Sequence, residues 1–135
     1  MDVRALHHVA MAVEDLDDAV ETYRRLFGAE IERRGTLADQ GVEAVYLRVG
    51  EGRVELVSAL AADTAVGRFL AKRGPGMHHV AFEVGDVRRA VEDVTRAGGE
   101  IIAPAPRAGL GGKAVAFVHP DSLHGVLAEV VESNG

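Results

Sequence analysis

Residues 6–31, LHHVAMAVEDLDDAVETYRRLFGAEI, and residues 77–101, MHHVAFEVGDVRRAVEDVTRAGGEI, are two copies of one segment. They align without a gap over their first sixteen positions, of which about half are identical. A single deletion then brings Gly28 onto Gly98 and Glu30–Ile31 onto Glu100–Ile101. Unrelated amphipathic segments rarely share HHVA, a helix-capping aspartate and AVE in one register. Such a repeat constrains architecture more than composition does, because each copy is one supersecondary unit that must bury its apolar face against a neighbour.

Each copy opens with an alternating, strand-like run and continues into a helix. Asp15 and Asp86 stand where an N-cap is needed, with side chains able to accept the unpaired N–H groups of a first helical turn. Leu16, Ala19, Val20, Tyr23 and Phe27 make the apolar stripe of the first helix, and Val87, Ala90, Val91 and Val94 that of the second. Gly28 and Gly98–Gly99 suit the left-handed residue that ends a helix. Strand-like segments follow: GVEAVYLRV and RVELVSA in the first copy, EIIAP, KAVAFVHP and GVLAEVVE in the second, separated by turn residues. The expected order is βαβββ, twice. Between the copies, DTAVGRFLAKRGPG holds a short helix capped by Asp63 or Thr64, and Gly74-Pro75-Gly76 marks the boundary. The fold class is therefore α+β. Module one spans about 4–60, the linker helix about 63–75 and module two about 77–132, together one domain over 1–135 with pseudo-twofold symmetry. At this length a real core can be buried.

Four of the six histidines lie in the two HHVA runs, and strand parity separates them. Successive strand side chains point to opposite faces. His7, Val9, Met11 and Val13 share one face, and His8, Ala10 and Ala12 the other. In the second copy His78, Val80, Phe82 and Val84 oppose His79, Ala81 and Glu83. The bulky faces should pack on the helices, which leaves His8 and His79 on the faces of small residues, looking into a cavity. His7 and His78 are expected at the strand starts near the surface.

Glu55 in RVELVSA and Glu129 in VLAEVVE are charged residues inside apolar strands, 47 and 50 residues after His8 and His79 respectively. A buried acid is costly unless it is paired, protonated or bound to metal. Two histidines and two glutamates in matching places of a duplicated module suit one divalent ion, whether cobalt, nickel, manganese, iron or zinc. Four protein ligands leave two octahedral positions for a chelating substrate. A surface or core role for each of the four alone is the competing reading.

Composition narrows the functional classes. The net charge of −6 argues against a nucleic-acid partner, no apolar run approaches a membrane span, and no signal-peptide pattern opens the chain. The absence of cysteine removes disulfides and thiolate zinc sites. A cytoplasmic location is the expectation.

The sequence resembles the vicinal oxygen chelate superfamily, and within it the methylmalonyl-CoA epimerase family. The resemblance is carried by LHHVAMAVEDLDDAVETYRRLFG, DQGVEAVYL, VELVSA, AVGRFLAKRGPGMHHVAFEV, PRAGLGGKAVAFVHP and HGVLAEV. The opening strand–helix is common to the superfamily, whereas FLAKRGPGMHHVAFEV and the pairing of PRAGLGGK with HPDSLHGVLAEV are more specific to the epimerases. The resemblance implies that the two modules form a cup-shaped mixed sheet around a metal, with His8, Glu55, His79 and Glu129 as ligands and cobalt as the ion. It implies an isomerase that chelates an acyl-CoA substrate, stabilises the enolate formed on deprotonation, and returns the proton on the opposite face. Glu129 is the first candidate for one acid/base role. For the other, several bacterial epimerases carry a glutamate at the position aligned with Ala44, whereas here it stands one residue earlier, at Glu43. A one-residue shift turns a side chain to the other face. Either a bulge restores Glu43 to the cavity as a second catalytic residue, or Glu43 is a solvated strand residue.

Arg107 and Lys113 flank the glycine-rich AGLGGK and are candidates for binding the phosphates of coenzyme A, with Lys72 and Arg73 at the end of the linker helix as further cations. A homodimer is expected by analogy with the superfamily. Two other functions fit the same family. One is a glyoxalase-like lyase or isomerase, or a tailoring enzyme, which the missing glutamate at Ala44 keeps open. The other is a metal-free small-molecule-binding protein, against which the ligand positions in both modules count.

Overall fold

The repeated segments fold as repeated elements. In the computed structural model, which describes residues 1–133, the first copy runs β1 (Val3–Ala12), α1 (Leu16–Phe27), β2 (Glu30–Leu37), β3 (Val42–Val49) and β4 (Gly52–Ala59). The linker helix is α2 (Ala65–Arg73). The second copy runs β5 (Gly76–Val84), α3 (Val87–Arg96), β6 (Ile101–Ala108), β7 (Ala114–Val118) and β8 (Ala128–Glu132). The order βαβββ is thus present twice, in an α+β fold.

The helix ends obey their local chemistry. Asp15 accepts from the Asp18 N–H at 3.0 Å and Asp86 from that of Arg89 at 3.3 Å. Of the two candidates for the linker helix, Thr64 is the cap, accepting from Gly67 N–H at 3.0 Å. Gly28 closes α1 at φ 66°, a left-handed conformation that costs a glycine nothing.

Contacts divide the chain into two compact units, residues 8–78 and residues 1–7 joined with those from His79 onward. These borders differ from the boundary expected at Gly74-Pro75-Gly76. The N-terminal residues associate with the second copy through side chains: Arg4 Nη1 donates to Ser133 Oγ at 2.8 Å, and the Met1 amino group lies 3.9 Å from Asp93. Among the described residues no helix is long and apolar enough to cross a membrane.

Within each unit the sheet is mixed, ordered β2-β3-β4-β1 in one and β5-β8-β7-β6 in the other. β1 runs parallel to β4, and β5 to β8, while the remaining pairs are antiparallel. The bulky strand faces pack on the helices as parity requires. Met11, Val13 and Tyr23 pack against a cluster of Leu16, Val20, Val45, Leu47 and Leu56. Val84, Val87, Ala90, Ala116 and Val130 form the counterpart.

His7 departs from expectation. It is only 4% exposed, because β1 begins at Val3 and so His7 lies mid-strand rather than at a frayed start. His78 is half-buried, and Phe69 of α2 meets its ring edge-on with centroids 4.9 Å apart.

Gly67 shows how tightly the linker helix seats. A Cβ added there would lie 2.5 Å from the Ala61 carbonyl oxygen and 2.7 Å from that of Ala62, and both are backbone atoms. Gly67→Ala is expected to destabilise the protein by about 1–3 kcal/mol, the usual range for overpacking, although alanine is the better helix former. Urea unfolding midpoints of the two proteins measure this, and an unchanged midpoint would refute it.

Candidate metal centre

In the unit of residues 8–78, β1 and β4 pair in parallel with Ala10 opposite Glu55. Residues two apart on a strand share a face, so His8 stands on the same side as Glu55. The His8 Nε2 to Glu55 Oε1 distance is 3.3 Å. In the other unit Ala81 is opposite Glu129 on β8, and His79 Nε2 lies 4.0 Å from Glu129 Oε1. The register is identical: in both copies the residue two after the second histidine faces the glutamate. All four side chains are buried, at 2% exposure for His8, 5% for Glu55, 7% for His79 and 6% for Glu129. The small-residue faces are covered as well, with Ala10, Ala12 and Ala81 at 0%.

An aromatic ring completes each pair, and sequence reasoning missed both. Tyr46 on β3 is the partner of Glu55 in the ladder, and Phe117 on β7 is the partner of Glu129. The His8 and Tyr46 rings lie 5.2 Å apart, and those of His79 and Phe117 5.4 Å apart and edge-on. The signal was available: Tyr46 and Phe117 are both 38 residues after their histidine.

Glu43 lies elsewhere. The β3–β4 ladder is unbroken from Val42 opposite Ala59 to Val49 opposite Gly52, so no bulge rotates Glu43. Ala44 and Tyr46 share the face of Glu55, and Glu43 takes the opposite face. There Arg34 Nε donates to Glu43 Oε2 at 3.0 Å, and Arg34 Nη1 to Asp17 Oδ1 at 2.6 Å. Hydrogen bonds donated to Asp17 first and Glu43 second raise the already high pKa of the Arg34 guanidinium. The solvated alternative is also only partly right, because Glu43 is half-buried and tied into an ion pair.

Arg107 is half-buried on β6, and Lys113 directly follows the turn between β6 and β7. The glycine loop spends part of its N–H groups on itself: Gly109 donates to the Lys113 carbonyl at 2.7 Å and Gly112 to that of Gly109 at 2.9 Å. These two donors close the turn between β6 and β7. At the end of α2 the Arg73 guanidinium sits over the Phe69 ring, 5.6 Å from its centroid.

Repeated His–Glu pairs on a duplicated βαβββ fold define a protein of the vicinal oxygen chelate class. Residues 7–117 match the Glyoxalase/Bleomycin resistance protein/Dioxygenase superfamily. The mitochondrial methylmalonyl-CoA epimerase of Bos taurus is 36% identical over 129 residues, covering 95% of this chain and 74% of the relative. The ethylmalonyl-CoA/methylmalonyl-CoA epimerase of Cereibacter sphaeroides is 34% identical over 127 residues, covering 93% and 95%. A solved variant of Streptomyces coelicolor methylmalonyl-CoA epimerase, in complex with 2-nitronate-propionyl-CoA, superimposes with a TM-score of 0.94 at 34% identity, covering 99% of this chain and all of that one. The chain belongs to the glyoxalase/bleomycin resistance/dioxygenase superfamily and, within it, to the acyl-CoA epimerases, which are isomerases.

The placement of Glu43 makes a direct prediction. Glu43→Gln should leave divalent-ion binding unchanged and cost at most about 1 kcal/mol, since it weakens a partly exposed ion pair. Calorimetric titration with Co²⁺ and urea unfolding measure the two quantities. A lost or strongly weakened ion site would return Glu43 to the centre.

Proposed function

We propose that this chain is a metal-dependent epimerase of methylmalonyl-CoA, with His8, Glu55, His79 and Glu129 holding one divalent ion. The observation that carries the reading is the identical register of the two buried His–Glu pairs. The donor set fits the ion. Neighbouring ligands on an octahedral ion with bonds of about 2.1 Å lie about 3 Å apart. The His8–Glu55 separation of 3.3 Å is close to that spacing, and the 4.0 Å of His79–Glu129 calls for a small side-chain adjustment. His8, His79 and Glu129 each offer a buried donor atom of a kind that holds such ions. Imidazole with carboxylate suits cobalt, manganese, nickel, zinc or iron, and cobalt is favoured by family resemblance.

A divalent ion bound there supplies Lewis-acid stabilisation of negative charge developing on substrate oxygens. The chain's own residues do the rest. The substrate's α-proton is acidified by the flanking thioester and carboxylate, so a carboxylate base is strong enough to remove it. Glu129, buried among apolar strand residues, takes that proton on one face of the α-carbon through its carboxylate oxygens. Epimerisation needs a second group for the opposite face. With Glu43 on the helix side, Glu55 takes this role, because the repeat makes it the equivalent of Glu129. The covered walls, Ala10, Ala12, Ala44 and Ala81, exclude water from the proton's path. Arg107 and Lys113 contact the coenzyme A phosphates through their side chains. A cytoplasmic homodimer belongs to the same reading, from composition and family analogy.

One observation favours a second reading. Ala44 leaves the site face of β3 without a carboxylate, which suits a glyoxalase-like lyase or isomerase acting on another chelating substrate.

Proton exchange separates these readings. Cobalt-loaded protein incubated with methylmalonyl-CoA in heavy water is expected to wash out the α-proton, followed by NMR, and chelation of the metal is expected to stop it. Glu129→Gln should lower the exchange rate by about 10²–10⁴-fold, the usual contribution of a general acid/base, with metal content checked alongside. Exchange no faster than the spontaneous rate in the loaded wild type would sink the epimerase reading.

A further inference from the structure

The two half-sites are equivalent in their ligands and unlike in their support. In the first copy the Tyr46 ring has two neighbours: His8 at 5.2 Å between centroids, and the Arg53 guanidinium carbon at 5.5 Å from its centroid. Arg53 is itself clamped by a two-pronged pair with Glu32, Nε to Oε1 at 2.7 Å and Nη2 to Oε2 at 3.2 Å. Glu32 reaches it because the β2–β3 register shifts between Ile31, opposite Leu47, and Arg33, opposite Tyr46. Glu32 is the extra residue of this bulge, and a bulge re-aims side chains. Arg53, Glu55 and Tyr46 share one face of the unit, since Tyr46 pairs with Glu55 and Arg48 with Arg53.

The second copy differs at the corresponding positions. Phe117 replaces Tyr46, and Leu127, two residues before Glu129, stands where Arg53 stands two residues before Glu55. The pair distances differ in the same sense, 3.3 Å in the first copy and 4.0 Å in the second.

We propose that Arg53 is a positioning residue: clamped by Glu32, it presses the Tyr46 ring against His8 and pre-sets that imidazole for its ligand role. The proposal rests on the metal-site reading of the His8–Glu55 pair. It assigns unequal duties to the copies. The first half-site is rigid and anchors the ion. In the second, Phe117 and Leu127 stand in place of Tyr46 and Arg53, so Glu129 has different surroundings from Glu55. A guanidinium stacked on an aromatic face and held in a carboxylate fork is a planar, low-mobility support that lysine does not reproduce.

The test uses the full chain with Arg53→Met, which keeps the aliphatic stem, and with Arg48→Met as control, since Arg48 also reaches Glu32, at 3.6 Å. Ring-nitrogen NMR of the metal-free protein reads each histidine separately, and calorimetric titration with Co²⁺ reads affinity. In Arg53→Met the His8 ring signals are expected to shift and broaden while those of His79 stay, and Co²⁺ affinity is expected to fall about 10-fold, the low end for loss of a supporting contact. Arg48→Met is expected to do neither. A general loss of stability would lower the urea midpoint and move both histidines alike. Unchanged His8 signals in Arg53→Met, or an equal effect of Arg48→Met, would overturn the proposal. If the wild type binds no Co²⁺, the metal reading fails, while the His8 signals still decide whether Arg53 braces that ring.

Discussion

Two carboxylates inside apolar strands are the constraint on which the rest of this protein depends. Glu55 and Glu129 are almost fully buried, and a buried carboxylate is strongly disfavoured unless a partner offsets its lost hydration. Each has an imidazole beside it, placed there by one parallel pairing: Ala10 opposite Glu55, and Ala81 opposite Glu129. A slip of one residue in either pairing would turn the glutamate to the helix side and bury it among the leucines and valines packed there. The ladders, the helix packing and the donor set are therefore one linked arrangement. It follows that the helix-side cores matter to the site as well as to stability, because Met11, Val13, Val84 and Val130 pack on the face opposite the His–Glu pairs.

Duplication conserved this arrangement and let its surroundings diverge. Tyr46 and Phe117 keep an aromatic ring beside each histidine at nearly equal distances. Around the first pair the chain added polar supports: Arg53 over Tyr46, Glu32 in its bulge, and on the other face Arg34 joining Glu43 to Asp17 at the start of α1. Around the second pair Leu127 and Ile102 stand where Arg53 and Glu32 stand in the first. An epimerase handles two faces of one carbon, and two copies with the same donors in different settings can treat those faces differently.

Much of the fold and the pairing of His8 with Glu55 and of His79 with Glu129 were legible because each rests on a local pattern. Alternation with period two named His8 and His79 over His7 and His78, and the repeat offsets named Glu55 and Glu129. Asp15, Asp86 and Gly28 announced helix ends through capping chemistry that involves only a few neighbouring residues, while the linker helix left Asp63 and Thr64 as alternatives. Legibility failed where the answer lay across strands. Whether a bulge turns Glu43 into the cavity depends on how β3 pairs with β4, and GVEAVYLRV reads the same with or without one. His7 was misplaced because nothing near it says that the strand begins four residues earlier. Tyr46 was passed over because a tyrosine in an apolar strand has many ordinary uses, and only the Glu55 ladder makes it a neighbour of His8.

The sequence by itself determined the duplicated βαβββ plan, the helix boundaries, and the choice of the second histidine in each HHVA run, since periodicity and capping act over a few residues. Tertiary structure decided the company those residues keep: Glu43 with Arg34 rather than with the site, the N-terminal residues with the second copy, and Arg53 with Tyr46 and Glu32. The reason is physical. Side-chain parity is a property of one strand, whereas register, bulges and ion pairs are set by hydrogen-bond ladders between strands far apart in the chain.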